Sequence, residues 1–176
     1  MATSSASDAG RRPILRDARP GDLERLWRLD QLCFEPDIAY SRRELQRFLG
    51  MPRAACVVAE IGPELCGFAL AYPRPRDLAH VVTLDVHPTF RRRGLGRRLI
   101  ESVLDRSAAA GAKRAILEVD VRNSGAIAFY RLLGFRESGR HSSYYGPGLD
   151  AFEMVKEPAS DTARGTNDSP DRNGSR

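Results

Sequence analysis

No stretch of this chain stays apolar for the roughly 18 residues that a membrane-crossing helix needs, so no helical span is expected. Residues Met1 to Arg12 are small and polar without an apolar centre; no secretory signal is expected, and the cytoplasm is the expected compartment. Cysteine is scarce. Cys33, Cys56 and Cys66 are odd in number, form no C-x-x-C pair and have no histidine at ligand spacing, which argues against structural zinc and a disulfide scaffold. Cys56 and Cys66 sit in apolar runs, where a free thiol behaves as a small buried hydrophobe, so neither a metal nor a cysteine nucleophile is expected. Aromatics are only 7% of the chain and do not interleave with its arginines. The stacking platform of a single-strand binder is therefore missing despite a net charge of +5, and nucleic acid is not expected as a direct ligand. Also absent are G-x-G-x-x-G and G-x-x-x-x-G-K-[ST], which removes sequence support for a dinucleotide fold and a P-loop NTPase.

What is present is the run Val86-His87-Pro88-Thr89-Phe90-Arg91-Arg92-Arg93-Gly94-Leu95-Gly96-Arg97-Arg98-Leu99. An apolar strand pattern ends there, glycines remove side chains that would block close approach to the backbone, and an amphipathic helix pattern begins. The first amides of a helix lack intrahelical acceptors and carry the positive end of its dipole, so the run reads as an anion cradle. The plainer reading is a strand-to-helix turn beside a solvated basic face.

At 176 residues the chain is sized for one domain. Residues 1–12 and 157–176 are too poor in apolar side chains to offset the entropy of ordering, and disorder is expected in both, which leaves 13–156 as the folded unit. Ile14 to Ala18 reads as a strand. A helix then carries Leu23, Leu26, Trp27, Leu29 and Leu32, and Ser41-Arg42-Arg43-Glu44 is a capping box opening a second helix that ends near Gly50. Ala54 to Glu60 and Leu65 to Tyr72 form a hairpin about Gly62-Pro63, followed by a strand over His80 to His87. A helix from Gly94 to Gly111 and a strand over Ala115 to Val121 complete a βαβ unit with parallel pairing. A further helix spans Asn123 to Leu133, and two strands, Phe135 to Tyr144 and Asp150 to Lys156, close the domain. The sum is an α+β fold, with a mixed, mostly antiparallel sheet of six to seven strands and helices on both faces.

Four elements coincide in order: Arg91, Gly94 and Gly96 as R-x-x-G-x-G; Leu117-Glu118-Val119; Asn123 with Ala126; and Tyr130-Arg131-Leu132-Leu133-Gly134-Phe135. In this order and spacing they resemble the GNAT acetyltransferase superfamily, most of all its RimI-type ribosomal-protein alanine N-acetyltransferases, over nearly all of residues 14–154. The resemblance implies an enzyme that moves acetyl from acetyl-CoA to a primary amine in a ternary complex, most naturally the α-amine of a protein such as a ribosomal protein. Alternatives within that likeness are a small-molecule amine, a lysine, or a non-catalytic acyl-CoA-binding module. It implies that Leu84, Asp85 and Val86 pair their backbone with pantetheine, with an amide near Val86 at the thioester oxygen. It places the pyrophosphate on amides from Arg92, Arg93, Gly94, Leu95, Gly96 and Arg97, and gives Asn123 a cofactor contact beside its adequate role as an N-cap.

The chemistry wants a base for the amine and an acid for the departing thiolate. The resemblance gives these roles to Glu118 and Tyr130. Strand alternation sets Ile116, Glu118 and Asp120 on one face, so Glu118 lies either at a solvated strand end or in a cleft, where burial would raise its pKa. Tyr130 otherwise reads as a core aromatic. An α-amine has a reference pKa near 7.8 against about 10.4 for lysine, so a weak or water-relayed base suffices for it. The resemblance also makes Glu35, in Cys33-Phe34-Glu35-Pro36, a second base candidate on the acceptor side; it otherwise reads as a surface loop acid. Tyr144 and Tyr145 resemble acceptor-side tyrosines, or else pack at a strand end. Asp85 is a third carboxylate in the cleft, or faces the opposite layer. The loop Gly146 to Asp150 is shorter and less acidic than in the RimI type, which bears on the protein substrate more than on the reaction.

Overall fold

The computed structural model describes residues 12–157; the expectations for the two terminal segments fall almost wholly outside that range. Seven strands form one sheet: β1 (Ile14–Asp17), β2 (Ala55–Ile61), β3 (Glu64–Arg74), β4 (Leu78–Val86), β5 (Arg114–Asp120), β6 (Arg136–Gly146) and β7 (Leu149–Lys156), in the order β1-β2-β3-β4-β5-β7-β6. Every neighbouring pair is antiparallel except β4 and β5. Four helices accompany them: α1 (Leu23–Cys33), α2 (Arg42–Leu49), α3 (Leu95–Ala109) and α4 (Ser124–Leu132). None of the helices is long and apolar enough to cross a membrane.

Two cores separate the layers. On one face, Leu95, Leu99, Ile100 and Val103 of α3 and Ile127 of α4 pack on Val57, Ala59, Ala69, Val81, Leu117 and Val119. On the other, Leu26 and Leu29 of α1 and Leu45 of α2 pack on Cys56, Val58, Phe68 and Leu70. Cover on both faces explains why β2 reads as an almost unbroken apolar run rather than an alternating one. The capping box forms as expected, with the Ser41 hydroxyl accepting from the Glu44 amide and the Glu44 carboxylate accepting from Ser41 N at 2.9 Å. Leu32, grouped with the apolar stripe of α1, is instead 54% exposed.

Two features of β4 shape everything downstream. Leu70 pairs with Thr83 but Ala71 with Val81, so Val82 is an extra residue, a β-bulge whose carbonyl accepts from the Tyr40 hydroxyl at 3.3 Å. A bulge bends its strand and shifts side-chain parity by one. The parallel pairing of β4 with β5 correspondingly covers only Leu78, Ala79 and His80 against Arg114, Ala115 and Ile116. Past that point the two strands part.

Candidate active site

The parting of β4 and β5 opens a cleft of about 1180 Å³ that runs through the sheet from one face to the other. Its walls include Tyr40, Glu118 and Tyr145 on the α1 side and Gly96, Asn123, Phe129 and Tyr130 on the α3–α4 side. At its floor, Gly94 caps α3 with a left-handed backbone (φ +76°), which favours glycine. The first bond of α3 runs from Arg98 N to Gly94 O at 3.2 Å, so the amides of Leu95, Gly96 and Arg97 have no acceptor within the helix. A Cβ on Gly96 would point into the crevice between Val86, Phe129 and Leu84, meeting each at 3.6 to 3.9 Å. Free amides, a bare glycine floor and an unpaired β4 edge fit a ligand that combines a pyrophosphate with an extended amide arm.

Of the residues expected at this cradle, Leu84, Val86, Arg92, Gly94, Gly96, Arg97 and Asn123 line the cleft. Leu95 turns its side chain into the core at 3% exposure, and the Arg93 guanidinium lies over the Phe90 ring at 5.9 Å, so any part they play is through the backbone. Asn123 caps α4, its Oδ1 accepting from Ala126 N at 3.0 Å.

Asp85 is not a carboxylate of the cleft. The Val82 bulge turns Thr83 and Asp85 toward α1, where Asp85 is fully buried, accepts from the Thr83 hydroxyl and leaves Oδ2 without a partner among the described residues. Burial, and then the charge of Asp30, raise its pKa well above the carboxylate range. Asp30 is buried beside it with a pKa raised by burial to about 6, although Tyr40 N donates to it at 2.8 Å.

Glu118 and Tyr130 face the cleft from opposite sides of the sheet. The expectation that burial would leave Glu118 with a raised pKa is corrected. Burial does push it up, but hydrogen bonding and charge from His80, with Tyr144 and His141 behind, outweigh that and lower it. His80 Nε2 lies 2.6 Å from Glu118 Oε2, and both side chains are about a tenth exposed. Tyr130 packs edge-on against Phe129 and Phe135 at 5.3 and 5.7 Å, and its hydroxyl has no protein partner among the described residues. Burial raises its pKa, which keeps the phenol protonated and able to donate.

Glu35 lines the rim, exposed and 4.0 Å from Arg122, which is itself held by Asp120 at 2.5 Å. Tyr145 lines the cleft; Tyr144 stands 42% exposed above Glu118, T-shaped to Tyr145 at 4.9 Å. Polar atoms of Glu118, His141 and Glu153 lie within 4.8 Å of one another. Each is already engaged, Glu118 by His80 and Glu153 by Ser138 and His141, so the group reads as a hydrogen-bonded acidic wall rather than a metal centre. Cys33 lines the cleft with its thiol pushed up to about 11 by burial, which keeps it from acting as a thiolate. Sequence reasoning missed His80, Arg122 and Phe129; the one available signal for His80 was an imidazole inside the otherwise apolar opening of β4.

A mixed sheet forked over a helix-start cradle, with a carboxylate and a phenol on its two sides, defines an acyl-transferring enzyme. The chain belongs to the acetyltransferase (GNAT) family, whose sequence model matches residues 23–135, and its folded domain is an N-acetyltransferase domain of that family. It is 33% identical over 141 residues to the N-alpha-acetyltransferase RimI of Mycobacterium tuberculosis, covering 77% of this chain and 87% of that one. A longer Mycobacterium leprae protein is 34% identical over 149 residues, which are 82% of this chain but span only 40% of the relative. Among solved structures, the fold matches the ribosomal-protein-S18-alanine N-acetyltransferase of Escherichia coli with a TM-score of 0.75 at 24% identity, over 86% of this chain and 97% of that one. Arabidopsis thaliana NAA60 in complex with acetyl-CoA matches with a TM-score of 0.70 at 25% identity, over 82% and 98%.

Proposed function

We propose that the chain transfers acetyl from acetyl-CoA to the α-amine of a protein N-terminus, with ribosomal proteins as the favoured acceptor class. The observation that carries this reading is the placement of an ionised Glu118 and a protonated Tyr130 on opposite sides of one cleft through the sheet. Acetyl-CoA, when bound, supplies the acetyl thioester and departs as the thiol. The amides of Leu95, Gly96 and Arg97 hold its pyrophosphate, with Arg92 and Arg97 adding positive charge, and the backbone of Leu84 to Val86 aligns its pantetheine arm. Glu118 takes the proton that the amine loses as nitrogen bonds to the acetyl carbon. Tyr130 donates its proton to sulfur as the carbon–sulfur bond breaks, and is reprotonated from solvent. Tyr144, Tyr145 and Glu35 border the acceptor's path on the Glu118 side.

The lowered pKa of Glu118 selects among amines. A carboxylate of lowered pKa is a weak base and a poor partner for lysine near 10.4, whereas about a seventh of an α-amine near 7.8 is already neutral at pH 7. This favours N-terminal over side-chain transfer, as do the RimI-named relative and the bS18-alanine N-acetyltransferases of Salmonella typhimurium and Escherichia coli among the similar proteins. The test is acetylation of a peptide library with free α-amines alongside lysine-only peptides and small amines, read by mass spectrometry. We expect α-amine products, and a Glu118→Gln rate at least 100-fold lower at neutral pH with CoA affinity near that of wild type. An unchanged rate removes Glu118 as the base, and exclusive labelling of lysine or small amines removes the acceptor assignment.

A further inference from the structure

Two carboxyl groups sit in the apolar layer between α1 and β4. Asp30 shares the buried stripe of α1 with Leu26 and Leu29, and Asp85 pairs across the sheet with Phe68, which packs in the same layer as those leucines. Both are fully enclosed, at 0% exposure. Asp30 Oδ2 accepts from Tyr40 N at 2.8 Å and from Gln31 Nε2 at 3.2 Å, while Asp85 Oδ1 accepts from the Thr83 hydroxyl. That leaves Asp30 Oδ1 and Asp85 Oδ2, each buried without a partner among the described residues. The two groups are neighbours: the charge of Asp30 acts on Asp85, and Cys33, one turn along α1 from Asp30, feels both. Two unsatisfied oxygens and two like charges in one dry layer are each costly, and a single proton removes both costs.

We propose that Asp30 and Asp85 share one proton, carried on Asp85 Oδ2 and donated to Asp30 Oδ1, and that this bond makes them positioning residues for the acceptor by tying the 34–40 wall of the cleft to β4. Asp30 is the ionised member because two N–H groups already point at its other oxygen, whereas Asp85 receives a single hydroxyl. Tyr40 is gripped at both backbone atoms, its N by Asp30 and its O by Gln31 Nε2 at 2.8 Å. The segment ending there lines the cleft with Phe34, Glu35 and Ile38, and at its start the Cys33 thiol donates to Val86 O at 3.5 Å. The other titratable groups around the pair are Glu44 of α2, which disfavours charge on Asp30, and Cys33, Cys56 of β2, Tyr40 and Tyr130 of α4, all held protonated by burial. Arg91 favours charge on Asp85, but its Nε is spent on Val86 O at 2.9 Å. The positioning role rests on the reading of residues 34–40 as an acceptor wall; the shared proton does not.

The test starts with the full chain without ligand. Infrared spectra of protein carrying ¹³C-labelled aspartate should show one protonated carboxyl at neutral pH, lost in Asp85→Asn and shifted in Asp30→Asn. Refolding from urea in weakly buffered solution at about pH 7.5 should take up about one proton more in wild type than in Asp85→Asn. With acetyl-CoA and a free-amine alanyl peptide, Asp30→Ala should raise KM for the peptide about tenfold, with recovery in Asp30→Asn, whose amide oxygen still accepts from Tyr40 N. In alkali, loss of the shared proton sets two like charges between α1 and β4. The wild-type peptide KM should then rise as the acid band disappears, and Asp85→Asn should lack that rise at the same pH. No acid band at neutral pH, or a band that survives Asp85→Asn, overturns the proposal. An intact band with the peptide KM unmoved in Asp30→Ala overturns the positioning role. Failure of the proposed acetylation reads differently, as an absence of α-amine product with the spectra and proton uptake as expected.

Discussion

Gly96→Ala separates what this glycine does for the fold from what it does for the ligand. It is the second residue of α3, and a Cβ there would meet Val86 Cγ2 at 3.6 Å, Phe129 Cζ at 3.7 Å and Leu84 Cδ2 at 3.9 Å, all ordinary van der Waals contacts. Nothing in the protein's own packing therefore demands glycine. Alanine restrains the unfolded chain and favours the helix, which should stabilise the domain by about 0.5–1 kcal/mol, the lower figure applying to a first-turn position. For a domain of this size that raises Tm by about 2 °C. The same methyl, however, occupies the cleft floor next to the free amides of α3. Displacing a phosphate from one charge-assisted amide contact costs about 1.5–3 kcal/mol, or about tenfold to a hundredfold in Kd. Thermal melts and isothermal titration with CoA measure both effects on one sample. A variant that melts higher and binds CoA as tightly as wild type would falsify the cradle; a variant that melts lower would show that the packing around Gly96 has been misjudged.

Two further changes test the frame that holds the site. Arg16 bonds bidentately to both Asp22 and Glu60, tying β1 to β2 and to the start of α1, and this hydrogen bonding lowers the Asp22 pKa to about 2. Because the folded pKa lies below the ordinary value of 3.8, the stabilisation is complete above pH 4 and disappears as pH falls toward 2. Asp22→Asn should thus cost about 2 kcal/mol in urea unfolding at pH 7 and almost nothing near pH 2; the same loss at both would assign it to shape rather than charge. Gly67→Ala should destabilise by about 1–3 kcal/mol, since its Cβ would fall 2.7 Å from the Asp85 carbonyl oxygen and 2.9 Å from Leu99 Cδ1. A loss under about 0.5 kcal/mol in urea titration would mean that β3, β4 and α3 separate more easily than this close approach implies.

Local chemistry was legible in the sequence wherever a residue's role depends on its own neighbours in the chain. Ser41 with Glu44, Asn123 with Ala126, and Gly94 before the stripe of Leu95, Leu99 and Val103 each mark a helix start through contacts three or four residues long. The βαβ unit followed from those starts. The bulge at Val82 did not, because a register shift is a property of β4 against β3 and leaves no periodic trace in β4 alone. That one residue is why Asp85 turned out to face α1. His80 was hidden for a related reason: its partner Glu118 is 38 residues away, and only the depth of parallel pairing brings the two side chains together.

The same bulge explains how a carboxylate and a phenol standing on opposite faces of a sheet can border one cleft. In a continuous sheet, ladder hydrogen bonds fill the space between neighbouring strands, and a side chain on one face cannot reach a group on the other. Here pairing stops at His80 and Ile116, so Glu118, the next residue on its face, stands at the crotch of the fork. Tyr130, carried by α4 beneath, reaches the opening from the other side. In the proposed reaction the amine and the thioester approach through different faces and meet where the backbone has been parted. Moving the fork by one residue would leave Glu118 either sealed beside a paired strand or stranded beyond His80. The bulge and the His80–Glu118 contact are therefore coupled: deleting Val82 should restore pairing along β4, close the cleft and abolish CoA binding in a chain that still folds.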